Sequence, residues 1–159
     1  MIRNRWGVAW PRVKTFVQNI RNHEGSNLPI GAAGFCWGGK HAVTLAHRGV
    51  AADGKPLVDA SFIAHPSLVA VPGDIDLLGK PLSVAIGDKD FVVSETATES
   101  MRQSLEKVDV ESEFRIYPGA GHGFAVRADP MNEKVMEQSK EAEEQAMAWF
   151  GKQFAKRSP

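Results

Sequence analysis

One thiol, a pair of neighbouring carboxylates and one imidazole stand in chain order on glycine-rich segments: Gly34-Phe35-Cys36-Trp37-Gly38-Gly39, Gly87-Asp88-Lys89-Asp90-Phe91 and Gly119-Ala120-Gly121-His122-Gly123-Phe124. A cysteine with glycines two before and two and three after has the form of a nucleophile elbow. In such an elbow the backbone turns so sharply that the central side chain stands above the sheet. A helix starting just after Cys36 would bring the positive end of its dipole to the sulfur, favouring thiolate and drawing the pKa below the free value of about 8.5. The N–H of Trp37, the residue after the nucleophile, is then one oxyanion donor. The competing reading is a buried thiol serving as a small hydrophobe, which the flanking glycines argue against. An acid on the loop of Asp88 and Asp90 could hold a histidine ring in one tautomer. One of the two should be a turn former bonding to nearby backbone; we assign Asp88 to the turn and Asp90 to the chemistry. His122, flanked by glycines, is the candidate base.

The elements that must position these groups alternate. Residues 11–23 place Val13, Phe16, Val17 and Ile20 three and four apart, on one face of a helix. Residues 28–33 read as a strand running into the elbow, and residues 40–47 as the helix after it. Residues 60–64 and 82–86 are apolar runs bounded by Pro, Gly and Asp, the pattern of strands buried on both faces. Ser94 can cap a helix reaching about residue 108, residues 113–117 return as a strand, and Asp129-Pro130 opens a last helix through Trp149 and Phe150. This alternation predicts a single α/β domain spanning residues 1–159, a mostly parallel sheet with helices on both faces and functional groups beyond the carboxyl ends of the strands. Residues 50–55 and 71–80 read as surface loops.

Two further groups fall near that rim. His65-Pro66 follows the strand over 60–64; hydrogen bonding in place is the ordinary role of such a histidine, and substrate contact the alternative. Arg127 is the candidate cation for an anionic substrate group, with a solvated surface arginine as the alternative. His23, His41 and His47 fall on helices, as surface or packing residues.

Composition narrows the function classes. The chain of 159 residues is 43% hydrophobic and 24% charged, with 19 basic and 19 acidic side chains. The balanced charge argues against a nucleic-acid or anionic-membrane partner. Apolar runs fall short of the ~18 residues of a membrane span and residues 1–11 lack a signal-peptide core, so the expected location is cytoplasmic. A single cysteine forms no internal disulfide, and no Cys and His cluster has structural-zinc spacing.

With Gly-Phe-Cys-Trp-Gly-Gly, Gly-Asp-Lys-Asp-Phe and Gly-His-Gly-Phe in this order, the chain resembles the dienelactone hydrolase (carboxymethylenebutenolidase) family from about Pro11 to Phe150. The resemblance implies an α/β-hydrolase fold and a Cys-Asp-His triad, matched here by Cys36, Asp90 and His122. It supports Asp90 over Asp88; Phe91 and Phe124, which stand in these motifs, join His65 and Arg127 as candidate substrate contacts. The His65-Pro66-Ser67 segment and Trp37 are similar to the eukaryotic cytosolic branch. The family's fold has roughly a further half-domain ahead of the point where this chain begins, including the loop with the second oxyanion N–H, an acid that controls the resting thiol and a substrate-binding arginine. The expectation is therefore an N-terminally truncated fold. The arginine after the histidine stands one residue later than in the bacterial enzymes.

These readings converge on a hydrolase of small carboxylic esters or lactones, working through a thioester acyl-enzyme without metal or organic cofactor. The alternative is a catalytically impaired or non-enzymatic remnant acting as a binding protein. Its exposed sheet edge would favour homodimers or aggregates.

Overall fold

The computed structural model describes residues 5–23, 27–51 and 57–156. Four parallel strands, β1 (Gly31–Phe35), β2 (Ala60–Ala64), β3 (Leu82–Lys89) and β4 (Ser112–Gly121), lie side by side in chain order. Helix α1 (Trp6–Asn22) precedes the sheet; α2 (Gly38–Leu45), the short α3 (Gly73–Asp76) and α4 (Glu95–Leu105) fill the crossovers; α5 (Glu133–Ala155) follows β4.

The two faces of the sheet sort by the period of two that a strand imposes. Ile63, Val84 and Ile86 point into one core with Val43 and Leu45 of α2 and with Met101 and Leu105 of α4. Phe62, Ala64, Ala85 and Tyr117 point the other way, against Ala142 and Trp149 of α5. The crossover connections therefore share one layer, and α5 forms the other. The interior strands carry no polar face: every residue of β2 is buried, as are the first six of β3. Three of the buried polar side chains between the sheet and α5 form hydrogen bonds that cross the interface. Tyr117 donates to Gln145 Oε1 at 2.8 Å, Gln145 Nε2 donates to Ser83 Oγ at 2.9 Å, and Trp149 Nε1 donates to the Ser61 carbonyl at 3.0 Å. Burial pushes the Tyr117 hydroxyl up to about 12, so it stays a donor.

Several boundaries differ from those read in the sequence. Helix α1 begins five residues before Pro11, which lies inside it and removes only one amide donor. Val13 and Val17 pack on the core as expected, but Phe16 is 65% exposed. The 28–33 strand is shifted to Gly31–Phe35, and β3 and β4 run on to Lys89 and Gly121. Ser94 caps α4 as read, its hydroxyl accepting from the Ala97 amide. The last helix starts at Glu133, with Asn132 rather than Asp129 as its cap. Residues 71–80 include α3, while residues 52–55 of the other expected loop lie outside the described residues.

Candidate active site

The elbow follows from what glycine permits. Cys36 has φ 51°, in the left-handed region that L residues rarely enter. A β-carbon at Gly34 would stand 2.4 Å from the Gly38 carbonyl oxygen, and one at Gly39 would stand 2.8 Å from Pro66 Cβ. Both positions require glycine for close approach. A β-carbon at Gly38 would meet nothing within 4 Å, so glycine there is not a steric demand of the turn. The Cys36 carbonyl accepts from the amides of Gly39 at 3.0 Å and Ser67 at 2.9 Å, which ties the elbow to the turn after β2.

Above the carboxyl ends of the strands the sequence-read groups meet. Cys36 Sγ lies 3.1 Å from His122 Nε2, and His122 Nδ1 lies 3.0 Å from each carboxylate oxygen of Asp90. The His122 side chain is 9% exposed and the Asp90 side chain fully buried. Burial opposes ionisation of the Cys36 thiol, but hydrogen bonds from His122, Ser67 and the Trp37 amide, with the charge of His122, hold its pKa below the usual value. Burial likewise opposes protonation of His122, and the hydrogen bonds to Cys36 and Asp90 with their negative charge outweigh it, raising that pKa. The two shifts widen the pH range over which thiolate and imidazolium coexist. The Trp37 amide is aimed at the sulfur, at the amino end of α2, where an oxyanion formed on an attacked carbonyl would also lie.

The two acids divide their work differently from the sequence reading. Asp88 forms no local turn; its Oδ1 accepts from the Gly119 amide at 2.6 Å, clamping β3 to the start of the His122 loop. It is Asp90 whose Oδ1 also accepts from the amides of Val92 at 2.8 Å and Val93 at 3.4 Å, so the acid facing His122 is itself the turn former.

The residues expected around a substrate separate by depth. The Phe91 ring, 86% exposed, sits 5.5 Å from the His122 ring and forms part of the open rim. Arg127 is exposed, with no ion pair among the described residues. Phe124 is 2% exposed and His65 fully buried, so both lie beneath the site and present no open surface to a substrate. His65 packs edge-on against His122 at 5.1 Å. Contrary to the expectation of a hydrogen-bonded strand-end histidine, neither of its ring nitrogens has a partner among the described residues. Burial and the neighbouring His122 push its pKa down to about 4. Of the other histidines, His41 is buried between Trp6 and Trp37, and His23 is exposed.

One polar neighbour is not evident in the sequence. Ser67 Oγ lies 3.7 Å from Cys36 Sγ. In the sequence it is marked only by its place in the His65-Pro66-Ser67 segment, three residues past a buried strand, and neither signal points to the thiol. Among the described residues no group of three or more His, Cys, Asp and Glu side chains is arranged to hold a metal ion. No helix among them is long and apolar enough to cross a membrane.

A parallel sheet with its elbow between β1 and α2, an acid after β3 and a histidine after β4 defines the α/β-hydrolase architecture. The chain belongs to the dienelactone hydrolase family, whose sequence pattern it matches over residues 9–154. Among curated relatives, it is 27% identical to hydrolase pyvD of Aspergillus violaceofuscus over 92% of this chain and 56% of that protein. It is 30% identical to hydrolase tropI of Talaromyces stipitatus over 76% of this chain and 44% of that one. Among solved structures, a dienelactone hydrolase from Klebsiella pneumoniae superposes with a TM-score of 0.70 at 25% identity, covering 88% of this chain and 59% of the other. An esterase of Thermogutta terrifontis superposes with a TM-score of 0.64 at 17% identity over 86% of this chain and 63% of the other, a likeness of fold. The chain thus spans about half the length of the curated relatives it matches.

Proposed function

We propose that this chain carries the catalytic groups of a hydrolase of small carboxylic esters or lactones, with Cys36 as nucleophile, His122 as general base and acid, and Asp90 as the group that orients the imidazole. The observation that carries this reading is the continuous chain of contacts from Cys36 Sγ to His122 Nε2 and from His122 Nδ1 to Asp90, at 3.1 and 3.0 Å. In the proposed reaction the thiolate attacks the carbonyl carbon, and the Trp37 amide hydrogen-bonds to the oxygen that becomes negative. As the carbon–oxygen single bond breaks, His122 gives its proton to the departing alkoxide, leaving a thioester on Cys36. Water then attacks the thioester, His122 takes its proton, and the acid is released with the thiol restored. Asp90 stabilises the imidazolium at each stage without taking its proton.

Two measurements test it. Cys36→Ala should abolish turnover of small esters by the purified chain; unchanged turnover would sink the reading. The rate of Cys36 alkylation by iodoacetamide, followed against pH, should show an apparent pKa at least about one unit below that in denaturant, rising in His122→Ala. Identical folded and denatured profiles would mean that the contacts do not activate the thiol.

A further inference from the structure

Beside the nucleophile lies a narrow cleft of about 80 Å³, walled by the turn after β2 and by the segment from Val92 into α4. Pro66, Leu68, Val69, Val92, Ala97 and Met101 line it, and Ser67 is the one polar side chain among the described residues around it. Met101 is 1% exposed, so the inner wall is core. Ser67 also fixes where the cleft meets the chemistry: its hydroxyl is 3.7 Å from Cys36 Sγ, and its amide donates to the Cys36 carbonyl. On the opposite wall the Val92 amide is held by Asp90 Oδ1. Both walls are therefore fastened to the candidate triad rather than to a mobile surface.

We propose that this cleft binds the acyl chain of the substrate and restricts it to short, uncharged aliphatic groups. The inference rests on the hydrolase reading above and names its substrate class. Three arguments carry it. The leaving oxygen must stand beside His122 Nε2 to be protonated, so the acyl chain must lie elsewhere around the sulfur, and the cleft opens at Ser67, whose hydroxyl is 3.7 Å from Sγ. Among the described residues no cation lines the cleft, so a carboxylate or other charge on the chain would be desolvated without a partner, which is strongly unfavourable. At about 80 Å³ the cleft is small, so it accepts short chains such as propionyl and butyryl and excludes long ones.

Alkyl methanethiosulfonates test the cleft independently of hydrolysis. The Cys36 thiolate attacks their sulfenyl sulfur, forming a mixed disulfide and expelling methanesulfinate, with no oxidant required. Rates would be measured by intact mass for methyl, propyl and hexyl reagents on the folded chain, with glutathione as the reference thiol. Each methylene buried in an apolar site is worth about fourfold. The propyl-to-methyl ratio at Cys36 is therefore expected to exceed that of glutathione by about fifteenfold, with hexyl slower than propyl. Ala97→Leu, which fills the cleft from α4, should collapse the ratio to the glutathione value; Val69→Ala, which widens it, should raise the hexyl-to-propyl ratio. A wild-type ratio equal to that of glutathione overturns the inference. So does an unaltered ratio in both variants when their circular dichroism matches that of the wild type. Should Cys36→Ala leave ester turnover unchanged, the hydrolase reading fails while these ratios still report on the cleft.

Discussion

At the scale of single residues, Asp90 does two jobs with one carboxylate, holding the His122 ring and closing the 90–93 turn. Asp90→Asn separates them, because the amide oxygen can still accept from Val92 while the charge facing Nδ1 is gone. Ester turnover is expected to fall by about a hundredfold to ten-thousandfold, with circular dichroism unchanged. His65 makes a different prediction. Its pKa near 4 against an ordinary value near 6.5 means that the folded chain keeps it neutral where the unfolded chain takes up a proton. Its contribution is fully present above about pH 6.5 and is lost as pH falls towards 4, on the order of 3 kcal/mol in all. Urea unfolding at pH 7 and pH 4.5 should therefore show a smaller acid loss in His65→Gln than in the wild type; parallel losses would contradict this. The meeting of Cys36, Asp90 and His122 was legible because each stands on a glycine-marked turn after a strand. The burial of His65 and Phe124 was not, since nothing local says which rim residues later elements cover.

At the scale of elements, the elbow separates glycines that are required from one that is not. A methyl group at Gly34 meets the Gly38 carbonyl, and no side chain can rotate away to relieve it. Gly34→Ala is expected to cost at least about 3 kcal/mol in urea unfolding or to leave the chain insoluble. Gly38→Ala, at the first position of α2 with open space around it, should leave stability unchanged or raise it by about 0.5 to 1 kcal/mol. The sequence marked all three glycines of Gly34, Gly38 and Gly39 alike, because spacing reveals a turn but not which α-carbons touch another segment. Strand and helix types were legible for the sheet and its longer helices from the runs of apolar residues and from Ser94; the four-residue α3 was too short to show a period. Boundaries drifted where a proline misled, as at Pro11, or where a strand outran its apolar stretch, as β4 does in reaching Gly121.

At the scale of the whole molecule, a parallel sheet has two outer strands, and here β1 pairs on only one side among the described residues. Gly31, Ala33 and Phe35 of that strand are exposed, so the edge carries neither charge nor proline to discourage pairing. Light scattering of the chain alone is expected to show association that grows with concentration and weakens in Ala33→Lys; a monodisperse monomer at all concentrations would refute it. Such edges cannot be located from a run of apolar residues, because interior and outer strands of a parallel sheet read alike. The in-order strands also set a timetable. Cys36 and His122 are 86 residues apart, and they can touch only after β4 has joined β3. On a growing chain the sulfur thus leaves the ribosome without its partners and gains them only once residue 122 has emerged and β4 has paired with β3. A polypeptide released before residue 122 carries the cysteine without the imidazole whose hydrogen bond and charge lower its pKa.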